Sequence, residues 1–145
     1  MPIDHKVIRV EHLKNTSAPW FWLIMIVLFS CTTTSAQETT RISNEEFVEL
    51  TKNKEIQLVD VRTPEEVSYG VIKGAQHIDI YDPDFESRLA VLDTKKPVAV
   101  YCAAGGRSAQ ATAVLEKLGF SEVYDLTEGI RGWKSQGREL VALDN

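Results

Sequence analysis

Residues 97–120 read PVAVYCAAGGRSAQATAVLEKLGF. Pro97–Cys102 is short, apolar and β-branched, the composition of a strand buried on both faces. Farther on, Ala111, Val114, Leu115 and Leu118 fall on one face of a helix, and Gly119 suits its C-terminal stop. Between strand and helix lies a loop of small residues that begins with a cysteine and ends with an arginine.

The same alternation extends in both directions. Upstream, Ser43-Asn44-Glu45-Glu46 has the spacing of a capping box and predicts a helix through about Lys52. Ile56–Val61 reads as a buried strand. Thr63-Pro64-Glu65-Glu66 is a second helix start, with Thr63 as N-cap and Pro64 at the first helical position. Gly70 and Gly74 bracket a turn, Ala75–Ile80 is a predicted strand, and Asp82-Pro83 opens a helix through about Leu92. Downstream, Val123–Leu126 is a strand and Gly129–Trp133 opens a short helical segment, with Glu139–Leu143 after it. Apolar strands that alternate with helices predict an α/β fold whose parallel sheet is covered on both faces. Ligands of such sheets bind beyond the carboxyl ends of the strands, which is where Cys102 lies.

The chain has 145 residues, 43% of them apolar and 26% charged. That is one domain with room for a leader. No block of lysine or arginine stands out, which argues against nucleic acid as a partner. The N-terminus differs from the rest. Trp20–Phe29 is an unbroken apolar run, short of the roughly 20 residues that span a bilayer but right for a secretory signal core. Lys6, Arg9 and Lys14 precede it, and small polar residues follow. Residues 1–36 therefore read as a signal peptide, 37–41 as a linker and 42–145 as the domain. An uncleaved membrane anchor is the alternative. Two processing sites compete: Thr34-Ser35-Ala36 before Gln37, and Leu28-Phe29-Ser30-Cys31, a lipoprotein-like box with Cys31 as the lipidated residue. Either predicts an exported domain, in a bacterium periplasmic or held to the envelope by lipid, the only membrane contact expected.

The whole chain has 16 basic and 21 acidic residues; the leader takes three and two, leaving a body of 13 and 19, net −6. Cys102 is the only cysteine in that body, so an internal disulfide is impossible. In residues 102–107, CAAGGR, Gly105 and Gly106 permit backbone angles that residues with a Cβ avoid, and Ala103 and Ala104 add almost no bulk. The backbone N–H groups can curl around the sulfur, and the following helix points its positive end there. Such surroundings favour the thiolate, the reactive form. Arg107 adds a permanent charge. A buried inert cysteine is the competing reading, but packing alone needs neither the glycine pair nor the arginine.

Cys102-Ala-Ala-Gly105-Gly-Arg107-Ser108 resembles the Cys-x-x-Gly-x-Arg active-site loop of single-domain rhodaneses. Leu58-Val59-Asp60-Val61-Arg62 is similar to that family's early strand with its Asp-Val-Arg ending. Pro64-Glu65-Glu66 with Gly70-Val71-Ile72-Lys73-Gly74-Ala75 resembles its next helix and Gly-His-Ile-x-Gly-Ala turn. Gly129-Ile130-Arg131-Gly132-Trp133 resembles its Gly-[apolar]-x-x-Trp signature. The resemblance runs from about residue 42 to 141. It departs at Val71, where histidine is frequent, and at Glu128, where a second glycine is common.

The resemblance implies a five-stranded parallel sheet flanked by helices, and sulfur transfer with no metal and no organic cofactor. Cys102 would take a sulfane sulfur as a persulfide and pass it to a thiophilic acceptor, in two half-reactions. The amides of Ala103, Ala104, Gly105, Gly106 and Arg107 would stabilise that persulfide. Arg107 would orient the loop and bind the donor's anionic part. Asp60 and Arg62 either brace the loop or border the pocket, with a local salt bridge as the plain alternative. His77, the one histidine outside the leader, reads as structural with a general base as the rival role; Trp133 reads as core packing. The partners expected are a small sulfur donor and acceptor, or a protein persulfide carrier. With no lysine and one arginine, the loop makes no strong claim on a small dianion such as thiosulfate. Three other functions compete. A phosphatase or arsenate reductase has one more loop residue than the four between Cys102 and Arg107. A docking module commonly lacks the cysteine. A thiol redox protein would need an external resolving thiol.

Overall fold

The computed structural model describes residues 38–143. The leader expected over residues 1–36, with Cys31, lies outside the described residues. The elements in order are β1 (Glu38–Ile42), α1 (Asn44–Thr51), β2 (Gln57–Asp60), α2 (Pro64–Val67), β3 (Gln76–His77), α3 (Phe85–Leu89), β4 (Val98–Tyr101), α4 (Gly106–Lys117), β5 (Glu122–Leu126) and α5 (Gly129–Ser135). The five strands form one sheet in the order β1-β5-β4-β2-β3, and every pairing is parallel. This is the α/β fold, a five-stranded parallel sheet with helices on both faces, that the sequence and its resemblance predict.

Both predicted capping boxes are present, on Ser43 with Glu46 and on Thr63 with Glu66. All four β4 residues are buried, because alternate side chains enter two separate cores. Val98 and Val100 pack with Val59 and Val61 against Phe85, Leu89, Ala111 and Leu115. Ala99 and Tyr101 pack with Leu58 and Leu126 against Phe47, Ile130 and Trp133. Phe47 meets Tyr101 and Trp133 edge-on, each at 6.2 Å between ring centres, an arrangement that matches positive ring edges to negative faces.

The linker expected over 37–41 is corrected: residues Glu38–Ile42 are the sheet's edge strand, in register with Glu122–Leu126 of β5. Of Thr39–Ile42 only Ile42 is buried, and the sequence ETTRI carries none of the apolar signal of a central strand. Two other elements are shorter than predicted. After β3, Ile78 and Ile80 still donate to the carbonyls of Asp60 and Val61, but regular pairing stops at His77. The carboxylates of Asp79 and Asp82 then accept from the N–H groups of Tyr81 and Asp84. These side-chain turns hold the chain out of helix until Phe85.

Candidate active site

Cys102 follows the last residue of β4, so the strand delivers its side chain to the sheet's carboxyl edge. Gly105 is the N-cap of α4 in the left-handed region, at φ +85°. A Cβ there would collide with the Thr127 carbonyl oxygen. The loop's outward carbonyls are held by α5: Ile130 N–H donates to Cys102 O at 2.8 Å and Arg131 N–H to Ala103 O at 3.1 Å. With those carbonyls tied back, the loop's amides face the sulfur. Gly105 N–H donates to Sγ at 3.1 Å, and the Ser108 hydroxyl donates to it at 3.6 Å. Cys102 and Ser108 are both buried. Burial pushes the Cys102 thiol pKa up, but the Ser108 hydroxyl and the amides of Ser108, Ala104 and Arg107 outweigh it, and the net direction is down. The arrangement favours a sulfur anion over a neutral thiol.

Gly129, at φ +58°, permits this close approach: a Cβ on it would lie 2.5 Å from Cys102 O and 2.6 Å from Ala103 C. Glu128, at the place where a second glycine is common, accepts from Asn44 Nδ2 at 2.5 Å and ties α5 to α1. Val71 is buried and exchanges both backbone hydrogen bonds with Val141, so this departure packs against the chain's later segment.

Arg107, expected to orient the loop and to bind the donor's anionic part, is paired with a carboxylate. Its two terminal nitrogens donate to Glu66 Oε2 and Oε1 at 2.6 and 2.7 Å. The Arg107 hydrogen bonds hold the Glu66 carboxyl down at about 2, against the push of burial. The guanidinium also lies 6.0 Å from the exposed Tyr81 ring. Arg107 therefore orients the loop by anchoring the start of α4 to α2.

Asp60 and Arg62 are buried, at 0% and 4% exposure, and brace the scaffold. Arg62 Nε and Nη2 reach both Asp60 oxygens at 2.6–3.0 Å. Its remaining donors reach the carbonyls of Glu66 and Gly70. The pair thus fastens α2, which holds Glu66, to the end of β2. His77 sits with Nε2 2.7 Å from Arg62 O, and Trp133 is a core residue whose Nε1 donates to Glu139 O. Among the described residues, no group of His, Cys, Asp and Glu side chains could hold a metal ion.

The sequence reading assigned no role at this site to Glu66, Ser108, Asp125 or Gly129, although Ser108 and Gly129 stand in the motifs quoted for the resemblance. Glu66 was read as a capping residue and as part of the helix that the resemblance covers. Asp125 carried a signal, since a carboxylate inside a buried strand needs a reason.

The profile of the rhodanese-like domain family matches residues 43–136. The chain is 38% identical over 96 residues to the thiosulfate sulfurtransferase GlpE of Pseudomonas aeruginosa, covering 66% of this chain and 84% of that protein. It is 33% identical over 93 residues to a sulfurtransferase of Allochromatium vinosum, covering 64% and 85%. The crystal structure of a rhodanese-related protein from Thermoplasma volcanium superposes with a TM-score of 0.63 at 31% identity, over 71% of this chain and 98% of that one.

Proposed function

The chain belongs to the rhodanese-like domain family, and from that premise we propose that it is a sulfurtransferase whose Cys102 carries the transferred sulfur as a persulfide. The observation that carries this reading is the ring of donors around Sγ, led by Gly105 N–H at 3.1 Å. The Cys102 thiolate attacks the outer sulfur of a donor such as thiosulfate. A new S–S bond forms, the donor's S–S bond breaks, and sulfite leaves with the bonding pair. The terminal sulfur of the persulfide then carries the negative charge, in reach of the same amides. An acceptor, cyanide or a thiolate, attacks that terminal sulfur, and the Cys102 thiolate is regenerated.

Four residues separate Cys102 from Arg107, one fewer than in the loop of a cysteine phosphatase, and the tighter ring fits a sulfur atom better than a tetrahedral phosphate. The test is the intact mass of the purified protein after thiosulfate, and separately after polysulfide. The expected result is a gain of one sulfur atom, reversed by cyanide and absent in Cys102→Ser. No gain from either donor overturns the proposal.

The apolar run Trp20–Phe29 supports a second proposal, that the leader exports this domain. N-terminal sequencing of the mature chain distinguishes a start at Gln37, an acylated Cys31 and a retained leader.

A further inference from the structure

Asp125 is 1% exposed. It lies on β5 in register with Val100 on one side and Arg41 on the other. Neither of its carboxyl oxygens meets a donor in full hydrogen-bond geometry. From β1 it faces Arg41, whose Nε is 3.3 Å from Oδ2 and whose side chain is 56% exposed. From β4 it faces the apolar Val100, and from α4 the neutral Ser108. Burial pushes its carboxyl pKa up, while Ser108 and Arg41 pull it down less strongly.

Ser108 is the link to the sulfur. Its hydroxyl lies 3.6 Å from Sγ and within the reach of the Asp125 carboxyl. A hydroxyl has one hydrogen and two lone pairs. It can donate to the sulfur or to a carboxylate, but not to both. A neutral carboxyl or an amide at 125 can itself donate to the Ser108 oxygen and leave the hydroxyl hydrogen on the sulfur.

We propose that Asp125 is a positioning residue for sulfur transfer: through Ser108 it decides whether a hydroxyl hydrogen faces the Cys102 sulfur or turns away from it. This rests on the sulfur-carrier reading of Cys102, and goes beyond it by coupling the sulfur to an ionisation on another strand. With Asp125 neutral, the chain Asp125, Ser108, Cys102 stabilises the thiolate. With Asp125 ionised, Ser108 turns to the carboxylate and the sulfur keeps only backbone donors.

The test is the pH dependence of Cys102 alkylation by iodoacetamide, which reads the thiol without any sulfur transfer. Asp125→Asn removes the carboxylate and keeps a donor. Its expected effect is to lower the apparent thiol pKa by roughly half to one unit, the worth of one hydrogen bond to sulfur. The same substitution in a Ser108→Ala background is expected to have no such effect. An equal shift in both backgrounds would mean direct repulsion between carboxylate and thiolate, and would overturn the proposal. A second measurement leaves Asp125 unaltered: carbon NMR of its carboxyl in the wild type and in Cys102→Ala. With no sulfur to receive it, the hydroxyl stays on the carboxylate and the Asp125 pKa falls; an unchanged titration rejects the coupling. Sulfur loading, read separately by mass, shows whether the carrier reading itself stands.

Discussion

Gly129→Ala tests how the loop is held. A Cβ at this position would sit 2.5 Å from Cys102 O, 2.6 Å from Ala103 C and 2.7 Å from Ala103 O. All three are backbone atoms that no rotamer change can move. Ordinary contact begins at 3.4 Å, so α5 must retreat by about 0.7–0.9 Å. That stretches the bonds from Ile130 N–H, now 2.8 Å, and Arg131 N–H, now 3.1 Å, past useful length. Two hydrogen bonds at about 1 kcal/mol each, with ~1–2 kcal/mol for alanine at positive φ, give a loss of roughly 3–4 kcal/mol. The released carbonyls also free the loop amides from facing the sulfur. A displacement near 1 Å predicts a fall in kcat/KM of about 100-fold. Gly119→Ala is the control: its φ is +92°, yet nothing lies within 4 Å of its Cβ. It should lose only the conformational ~1–2 kcal/mol and keep its activity. The assays are urea unfolding and thiocyanate formation from thiosulfate and cyanide. If Gly129→Ala matches Gly119→Ala in both, α5 does not hold the loop and the reasoning is wrong.

Four further outcomes are expected. The Cys102 thiol is lowered from its ordinary 9.0, so sulfur loading should stay on its plateau below that pH and decline only as acid protonates the thiolate. In the Asp125→Asn background, Ser108→Ala should move this limb upward by roughly half to one pH unit, as read by loading rate against pH. Glu66→Gln should cost about 1 kcal/mol, discounted because the carboxylate is 35% exposed. The folded Glu66 is depressed from 4.5 to about 2, so the pair's stabilisation is complete above pH 4.5 and disappears as pH falls toward 2; urea midpoints of the two proteins should converge there. Removing residues 1–42 strips β1 from β5, at about 1 kcal/mol for each backbone hydrogen bond lost. Melting temperature should therefore drop, whereas a linker at 37–41 predicts no change.

Local chemistry explains what could be read early. Ser43 and Thr63 cap their helices through glutamates three residues away. The run Pro97–Cys102 declares a central strand because both its faces must be apolar. The glycine-rich turn declares an amide cradle because Gly105 needs a left-handed backbone. The polar β1 escaped because an edge strand is held by the backbone of its neighbour, whatever its side chains. The strand predicted at Ala75–Ile80 shrank because apolar residues continue past the point where the backbone turns away.

The sequence by itself determined the α/β alternation, both caps and the place of Cys102 at a strand's carboxyl end, since each depends on residues within one turn of each other. Tertiary structure decided the partners. Glu66 lies 41 positions before Arg107, and only the packing of α2 beside the loop turns that arginine from a free charge into an anchor. Asp125 reaches Ser108 only because β5 lies next to β4 under α4. A side chain's charge is written in its residue type, but what it acts on is set by which strands the sheet makes neighbours.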